Sequence, residues 1–379
     1  MVKLRSHLRF GFPITAFTAV KHWKAQVTNN LHSPSEGGNV MRQKTTAVLS
    51  AAALVLGMAG TAQAGTLEDV RDRGVLRCVV STGIAGFAQP DANGVWGGFD
   101  IDFCRATAAA VLGDASKIEA VTSTGKTRFT KLNAGEGDVL WRNTTITFSR
   151  DVSVKLRFHG VNYYDGQGFM VKKDLGVSSA SELDGASVCI QTGTTTELNL
   201  ADYFSSNNMN YEPVPIETND EARQNYEAGR CDVYTTDASG LASTRSALPN
   251  PDDHMVLPEI ISKEPLGPAT RHGDDQWSDI VTWVLNATIT AEELGVTMAN
   301  VDEMKGSNNP EVRRLLGVDG SQGSELGLSD DWAYQIIKQL GNYGEIFERN
   351  IGVNTPLGIA RGLNALWTDG GLIYSPPFR

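Results

Sequence analysis

Short apolar segments alternate with helix-like segments along this chain, and the alternation occurs twice. The strand-like segments are residues 75–80, 139–141, 187–190 and 231–235, and the helix-like ones are residues 103–112 and 194–204. Strands that alternate with helices predict an α/β fold with mainly parallel sheets flanked by helices. We expect two lobes with a cleft between them, the second unit being inserted into the first.

Two extended segments, 161–168 and 259–268, have no helical periodicity and are expected to carry the chain between the lobes. Apolar residues recur at helical spacing from residue 277 onward. We place lobe 1 at residues 65–163 and 265–379, with a helical C-terminal region, and lobe 2 at residues 164–264.

The N-terminal part carries an export pattern. Residues 45–67 hold no charged side chain, Arg42 and Lys44 precede them, and an A-Q-A triplet at residues 62–64 ends the apolar run. A basic start, a short apolar run and small residues at the exit are typical of a signal peptide. We interpret residues 41–64 as such a peptide, cleaved after Ala64.

A membrane anchor is the alternative for an uncharged stretch of this length. It is less favoured because Ser50, Gly57 and Gly60 dilute the run and small residues occupy the cleavage positions. No cysteine directly follows the apolar run, so a lipoprotein anchor is not expected either. Residues 1–40 do not fit a signal peptide, since its charged segment should lie near the start. We expect translation to begin at Met41, with residues 1–40 an untranslated or non-native extension.

The charge balance limits the possible partners. The chain carries 33 Lys and Arg residues against 44 Asp and Glu residues. Residues 1–64 hold seven of the basic and one of the acidic side chains, so the remainder carries 26 basic and 43 acidic ones, a formal charge near −17. An acidic surface repels polyanions, so neither nucleic acid nor anionic membrane is an expected partner. The 315 residues that remain suffice for two domains.

All four cysteines lie beyond the expected cleavage site, at Cys78, Cys104, Cys189 and Cys231. Export places them where disulfides persist, and four cysteines allow three connectivities. No C-x-x-C pair occurs and the histidines in this part are isolated, so we predict no metal site and no cofactor.

A series of motifs occurs in one order: GVLR at 74–77, GFDID at 98–102, GEGDV at 135–139, TFSR at 147–150, LDG at 183–185, GTTTE at 193–197 and GRCD at 229–232. The series resembles the polar amino-acid substrate-binding proteins of ABC importers, over about residues 66–270. The cysteine placement, the stretch NYYDGQG at 162–168 and the helical C-terminal region are similar, more narrowly, to the general L-amino-acid-binding subgroup.

The resemblance implies a type II periplasmic binding protein fold, with two lobes joined by a two-strand hinge. It implies a periplasmic receptor that captures free L-amino acids and delivers them to an inner-membrane ABC permease. We expect a monomer without catalytic activity. We predict disulfides Cys78–Cys104 and Cys189–Cys231, so that each ties a strand to a neighbouring element of its own lobe.

Such a cleft must supply partners for the two charges of a zwitterion. Arg150 follows the polar loop 143–147 and matches the family's carboxylate-binding arginine, whose fork can donate two hydrogen bonds. Thr194 and Glu197 form a T-x-x-E capping box at a helix N-terminus, which also attracts anions. By family position, Thr195 should donate to the same carboxylate from lobe 2.

The ammonium group is expected to lie beside Asp237, which follows the strand 231–235 where the family places an acid. Asn143 and Thr145 would add partners from lobe 1. The structural alternatives are an ordinary surface arginine at position 150 and a turn or helix-capping aspartate at position 237. The other expected lining residues are Ser81, Thr82 and Arg128.

The loop after the first strand bears on specificity. Basic-selective relatives commonly carry an acid and an aromatic residue there, and acid-selective relatives place an arginine nearby, whereas this chain has Ser81, Thr82, Gly83 and Ile84. We expect broad specificity for polar and small aliphatic L-amino acids, with Arg128 reaching the side-chain carboxylate of glutamate or aspartate. A dedicated glutamate/aspartate-binding protein is the main alternative, and an exported dehydratase-like enzyme of the same fold is a weaker one.

We predict that the exported protein begins at Gly65, because the A-Q-A triplet ends immediately before it. Intact mass spectrometry of the periplasmic fraction measures this start directly. An N-terminus upstream of Met41 would contradict both the cleavage site and the translation start.

Overall fold

The computed structural model describes residues 65–379, so the predicted extension at 1–40 and the predicted signal peptide at 41–64 lie outside the described residues. Two five-stranded sheets organise the described part. One sheet is built from chain segments before residue 160 and after residue 268, and the other from the segment between them. The segment that forms the second sheet therefore lies, along the chain, between the two parts that form the first.

Lobe 1 is built around its first strand, which is buried along most of its length. Its elements are α1 (Thr66–Arg73), β1 (Leu76–Ser81), β2 (Gln89–Pro90), β3 (Trp96–Gly97), α2 (Phe99–Leu112), β4 (Ile118–Ser123), α3 (Arg128–Asn133), β5 (Val139–Leu140) and β6 (Leu156–Phe158). Strand β1 pairs in parallel with β4 on one side and β5 on the other. Its sequence is a nearly continuous apolar run because parallel strands are covered on both faces.

Helix α2 begins at Phe99, one turn earlier than the predicted start at residue 103. Gly98 precedes it with a φ of 123°, and a Cβ at this position would lie 2.3 Å from the Phe87 carbonyl oxygen, so the site requires glycine. Asp100 and Asp102 lie in the first turn, where the helix dipole favours acidic side chains.

Two extended strands connect the lobes. The connecting strands are β7 (Tyr163–Asp165) and β13 (Glu264–Leu266). Between them lie the elements of lobe 2: β8 (Gln167–Lys172), β9 (Ser187–Gln191), α4 (Thr195–Ser206), β10 (Glu212–Ile216), α5 (Asn219–Glu227), β11 (Val233–Asp237), α6 (Ala238–Ser246) and β12 (His254–Val256). Strands β7 and β13 pair antiparallel within the two predicted crossings. The two-strand hinge is therefore confirmed, while the exact lobe borders stay a prediction.

Each sheet is mixed rather than mainly parallel. In lobe 1 the order is β4-β1-β5-β14-β6, where β14 (Ala269–Arg271) runs antiparallel to β5 and β6. In lobe 2 the order is β10-β9-β11-β8-β12, where β8 runs antiparallel to β11 and β12. Parallel pairing is thus confined to three strands in each sheet, because the chain enters and leaves each lobe through antiparallel strands.

The C-terminal region packs helices on lobe 1. It contains α7 (Asp275–Glu293), α8 (Val301–Met304), α9 (Pro310–Leu315), α10 (Gln322–Leu326), α11 (Trp332–Leu340) and α12 (Tyr343–Asn350). Tyr343 and Phe347 of α12 pack their rings edge-on against Phe99 of α2, inside the main hydrophobic core. This region therefore extends the core of lobe 1. No helix within residues 65–379 has the length and apolar composition needed to cross a bilayer.

Both predicted disulfides are present. Cys78 of β1 bonds to Cys104 of α2, and Cys189 of β9 bonds to Cys231 just before β11. Their Cα atoms are 6.2 and 5.6 Å apart, within the range that a disulfide spans without distorting the backbone. Each bridge lies inside one lobe, so neither restricts movement of one lobe against the other.

We predict that removing either bridge destabilises its own lobe. The bridges close loops with sequence separations of 26 and 42 residues, so the entropy of loop closure gives about 3.5 and about 4 kcal/mol. Denaturant unfolding of Cys78→Ala/Cys104→Ala and Cys189→Ala/Cys231→Ala measures both losses. A non-reducing peptide map provides the control, and a bridge between the lobes would contradict the pairing.

Candidate functional site

The carboxyl ends of β5, β9 and β11 meet where the lobes touch, which is where open α/β sheets bind ligands. A polar cavity of about 20 Å³ lies there. It is lined by Arg128, Arg142, Asn143, Thr145, Gln191, Thr194, Thr195, Thr196, Thr236 and Asp237. Six of the nine predicted ligand-binding residues therefore line one cavity between the lobes.

A second cavity, of about 280 Å³, adjoins the first, because Asn143 and Thr236 line both. Lobe 1 contributes residues 82–85 with Gln89 and Pro90, and lobe 2 contributes polar residues of α5 and α6. Thr82 lines this larger cavity, as predicted for the pocket mouth. Surface depressions of about 490 and 500 Å³ elsewhere include none of the predicted residues.

The lobes are closed on each other in this structure. The Asn143 side-chain nitrogen lies 3.4 Å from an Asp237 carboxylate oxygen, and Asn219 of lobe 2 donates to the Gly83 carbonyl oxygen of lobe 1 at 3.2 Å. The ammonium of Lys126 lies 3.2 Å from the carboxylate of Glu217, at the exposed rim. A cavity of about 20 Å³ holds roughly one water molecule, so an amino acid needs the lobes to separate.

The two predicted arginines, Arg128 and Arg150, both make cation–π contacts with the ring of Phe129. Arg150 is 6% exposed and Arg128 is 2% exposed, and their guanidinium carbons lie 5.1 and 4.8 Å from the centre of the Phe129 ring. Arg150 donates to the Thr145 carbonyl oxygen at 2.8 Å, and Arg128 donates to the Asn143 carbonyl oxygen at 3.2 Å. Burial lowers the pKa of Arg150 to about 10, so it is protonated at neutral pH.

Asp237 ends β11 and is buried, at 5% exposure. It occupies the N-cap position of α6, but its side chain makes no capping hydrogen bond, which argues against the capping alternative. Burial raises the pKa of Asp237 well above its usual value, and repulsion from Asp165 and Glu264 adds to that shift. Within residues 65–379 the Asp237 carboxylate accepts a side-chain hydrogen bond from Asn143 alone, so it has acceptor capacity left at the cavity.

Helix α4 begins at the cavity. The Thr194 side chain accepts a hydrogen bond from the Glu197 amide at 3.2 Å, as the predicted capping box requires. The Glu197 carboxylate, however, accepts from the Gly193 amide at 2.9 Å, so the box is displaced by one residue. The first amides of a helix have no intrahelical acceptor, which leaves those of Thr195 and Thr196 available to an anion.

Glu264 is a buried acidic residue beside the candidate site that the sequence prediction missed. It is 1% exposed on β13 of the hinge. Its carboxylate accepts from the hydroxyls of Thr145 and Thr195 and of Ser262, and from the Asn199 side chain. A hydroxyl has one proton to donate. The Thr195 hydroxyl, predicted to donate to a ligand carboxylate, therefore donates to Glu264 in this structure.

Four further cavity residues were also missed: Arg142, Gln191, Thr196 and Thr236. Each lies next to a predicted site residue or at the end of a predicted strand, which is the sequence signal that could have found them. Ser81, by contrast, is fully buried with its hydroxyl 3.4 Å from the Ala88 carbonyl oxygen, and it lines neither cavity. No group of three or more potential metal ligands occurs within residues 65–379.

Comparison with known proteins gives a consistent result. The profile of the bacterial extracellular solute-binding proteins, family 3, matches residues 76–299. The general L-amino acid-binding periplasmic protein AapJ of Rhizobium johnstonii is 59% identical over 335 residues, which cover 88% of this chain and 98% of that protein. The glutamate/glutamine/aspartate/asparagine-binding protein BztA of Rhodobacter capsulatus is 59% identical over 337 residues, which cover 89% of this chain and 100% of that protein.

A solved structure extends the similarity to three dimensions. The periplasmic binding protein of an ABC transporter from Brucella ovis, with glutathione bound, is 56% identical and aligns with a TM-score of 0.82. The alignment covers 84% of this chain and 100% of that one. The predicted two-lobed type II fold is thereby confirmed.

We predict that Glu264→Ala lowers the free energy of unfolding by about 3–5 kcal/mol, because it leaves the surrounding donors without an acceptor and removes a charge that compensates buried Arg150. Urea unfolding measures the loss. Glu212→Ala, at an exposed position on β10, is the matched control and should change stability by less than about 0.5 kcal/mol. A loss below about 1 kcal/mol for Glu264→Ala would show that Glu264 does not hold the hinge.

Proposed function

The chain belongs to family 3 of the bacterial extracellular solute-binding proteins, and on that basis we propose that it captures free L-amino acids in the periplasm for an ABC importer. We propose further that it acts as a monomer that delivers its ligand to a membrane permease. The observation that carries the proposal is a buried basic group of lobe 1 and a buried acidic group of lobe 2 at one cavity: Asp237 lines it, and Arg150 donates to the carbonyl oxygen of Thr145, which also lines it.

The ligand's α-carboxylate is assigned to Arg150 and the start of α4. A guanidinium matches the two oxygens of a carboxylate, and the free amides of Thr195 and Thr196 point from a helix N-terminus that favours negative charge. These donors come from different lobes. A carboxylate held by both lobes would favour the closed conformation, as expected for a receptor that closes around its ligand.

The α-ammonium group is assigned to Asp237 and Asn143. The side-chain N–H of Asn143 donates toward the carboxylate of Asp237. The side-chain oxygen of Asn143 is buried without a hydrogen-bond partner within residues 65–379. An ammonium group supplies three donors, which suits both this oxygen and the Asp237 carboxylate. The same group would favour the ionised form of Asp237.

The ligand side chain is assigned to the two adjoining cavities, with longer side chains extending from the small cavity into the larger one. The larger cavity's volume of about 280 Å³ and its polar lining from both lobes suit side chains of different size and polarity, with water filling the remaining space. The broad or multiple specificities in the names of the two relatives support this breadth. The cavities are lined by hydroxyl, amide, guanidinium and carboxylate groups, which suit binding a zwitterion, so we propose that the protein is not an enzyme.

A second candidate ligand is a γ-glutamyl peptide. The Brucella ovis relative was solved with glutathione bound, and the larger cavity here offers room beyond a single amino acid. Glutathione carries the same α-amino and α-carboxylate groups as glutamate. It could therefore use the same charged contacts, with the rest of the peptide in the larger cavity.

The test is a thermal-shift panel of the twenty L-amino acids and glutathione, because a ligand that binds only the folded state raises its Tm. Calorimetry on glutamate, glutamine, histidine, alanine and leucine then ranks the affinities. We expect several ligands to bind within a thousandfold of one another. A single ligand preferred by more than that would indicate a dedicated receptor, with glutamate or glutathione as the two named alternatives, and no shift at all would refute the proposal.

We predict that Arg150→Ala weakens binding of every amino-acid ligand by about 4 kcal/mol, from micromolar to about millimolar Kd, because two hydrogen bonds to a charged group are lost. Calorimetry measures the change. Arg157→Ala, at an exposed position on β6, is the control and should bind normally. Unchanged affinity in Arg150→Ala would remove this residue from the site.

A further inference from the structure

Arg142 is a buried cation whose charge the described chain does not pair. It follows β5 directly, is 4% exposed and lines the small cavity. Within residues 65–379 its Nε atom is buried with no hydrogen-bond partner, and Asp100 and Asp237 favour its charge without hydrogen-bonding to it. Burial without a partner is strongly unfavourable for a charged group. The arrangement suggests that a partner comes from outside the chain.

The two neighbouring arginines differ from Arg142 in this respect. Arg128 and Arg150 both donate to backbone carbonyl oxygens and lie over the ring of Phe129, whereas Arg142 does neither. The nearest acid on its own side is Asp100, whose carboxylate accepts from the Asn143 amide at 3.2 Å instead. Burial raises the pKa of Asp100 to about 7, so at neutral pH it neutralises Arg142 only in part.

The charges at the cavity are unbalanced for a simple zwitterion. The charged side chains that line the small cavity are Arg128, Arg142 and Asp237. A ligand ammonium matches Asp237, which leaves two lining cations, whose charges Glu264 and Asp100 favour from outside the lining. The mutual repulsion of Arg128 and Arg142 lowers the pKa of Arg128 beyond the effect of burial. A ligand with a further anionic or strongly polar oxygen would complement this excess of positive charge.

We propose that Arg142 selects the ligand side chain by binding the carboxylate or carboxamide oxygen of acidic and amide L-amino acids. The inference rests on the proposed function, since it assigns a side-chain contact within the same site. A guanidinium accommodates either oxygen, because it donates in a planar fork and requires only an acceptor. Apolar ligands would still bind through their α-groups, but without this contact.

A purely structural arginine is the competing explanation. In that case Arg142 would interact with Asp100 through a water molecule and stabilise the end of β5. Its loss would then lower stability and weaken all ligands to the same extent. The selective and structural roles therefore differ in how the effect is distributed among ligands.

The experiment compares wild type and Arg142→Met by calorimetry with glutamate, glutamine and alanine. Methionine retains an unbranched side chain of similar reach but has no strong donor. We expect glutamate and glutamine affinity to fall about 10- to 100-fold, the fold-change that one hydrogen bond to a charged group carries, and alanine affinity to change less than about 3-fold. Arg157→Met, at an exposed position on β6, is the control and should leave all three unchanged.

Equal losses for the three ligands, or unchanged glutamate affinity, would overturn the inference while leaving the proposed function intact. A wild-type protein that binds none of them would refute both. If Arg142→Met does not fold, a crystal structure of the wild type with glutamate decides. An Arg142 nitrogen about 3 Å from the side-chain carboxylate supports the inference, and a carboxylate bound elsewhere refutes it.

Discussion

The buried carboxylate of Glu264 joins both lobes to the hinge, and the geometry of the site depends on it. It lies on β13 and accepts hydrogen bonds from Thr145 of lobe 1 and from Thr195 and Asn199 of lobe 2. A buried carboxylate is tolerated only where donors surround it, so these side chains are held in fixed positions. Its negative charge also raises the pKa of Arg150, opposing the effect of burial. Glu264 thereby keeps the main candidate cation charged.

Burial also makes the charge of Asp237 depend on a bound ligand. Asp237 is disfavoured as an anion by its surroundings and by the nearby carboxylates of Asp165 and Glu264. A cation placed beside it favours the ionised form, so the pKa of Asp237 falls on binding. A ligand without an ammonium group offers no such compensation. Selectivity for zwitterions would thus follow from the cost of an isolated buried carboxylate.

Local sequence patterns predicted those elements that depend on interactions between residues close in the chain. The capped start of α4 and the extended hinge strands follow from short-range residue preferences, and the two disulfides agree with the predicted lobes. The antiparallel strands β6, β12 and β14 were missed because three residues are too few to show alternation. Glu264 could not be identified, because a charged side chain carries no local sign that the fold will bury it, and the only signal for Arg142 was its position between a predicted strand and Asn143.

Breadth of specificity and closure around the ligand can arise from one arrangement. The contacts that close the lobes here are few and polar, and the pair Lys126–Glu217 is exposed and contributes little. A ligand's α-carboxylate and α-ammonium, which bridge Arg150 of lobe 1 to α4 and Asp237 of lobe 2, would add stronger contacts than these. Every α-amino acid has both groups, so closure does not require a particular side chain. The side chain then adjusts affinity through Arg142 and the larger cavity, which explains how one site could accept many ligands and still rank them.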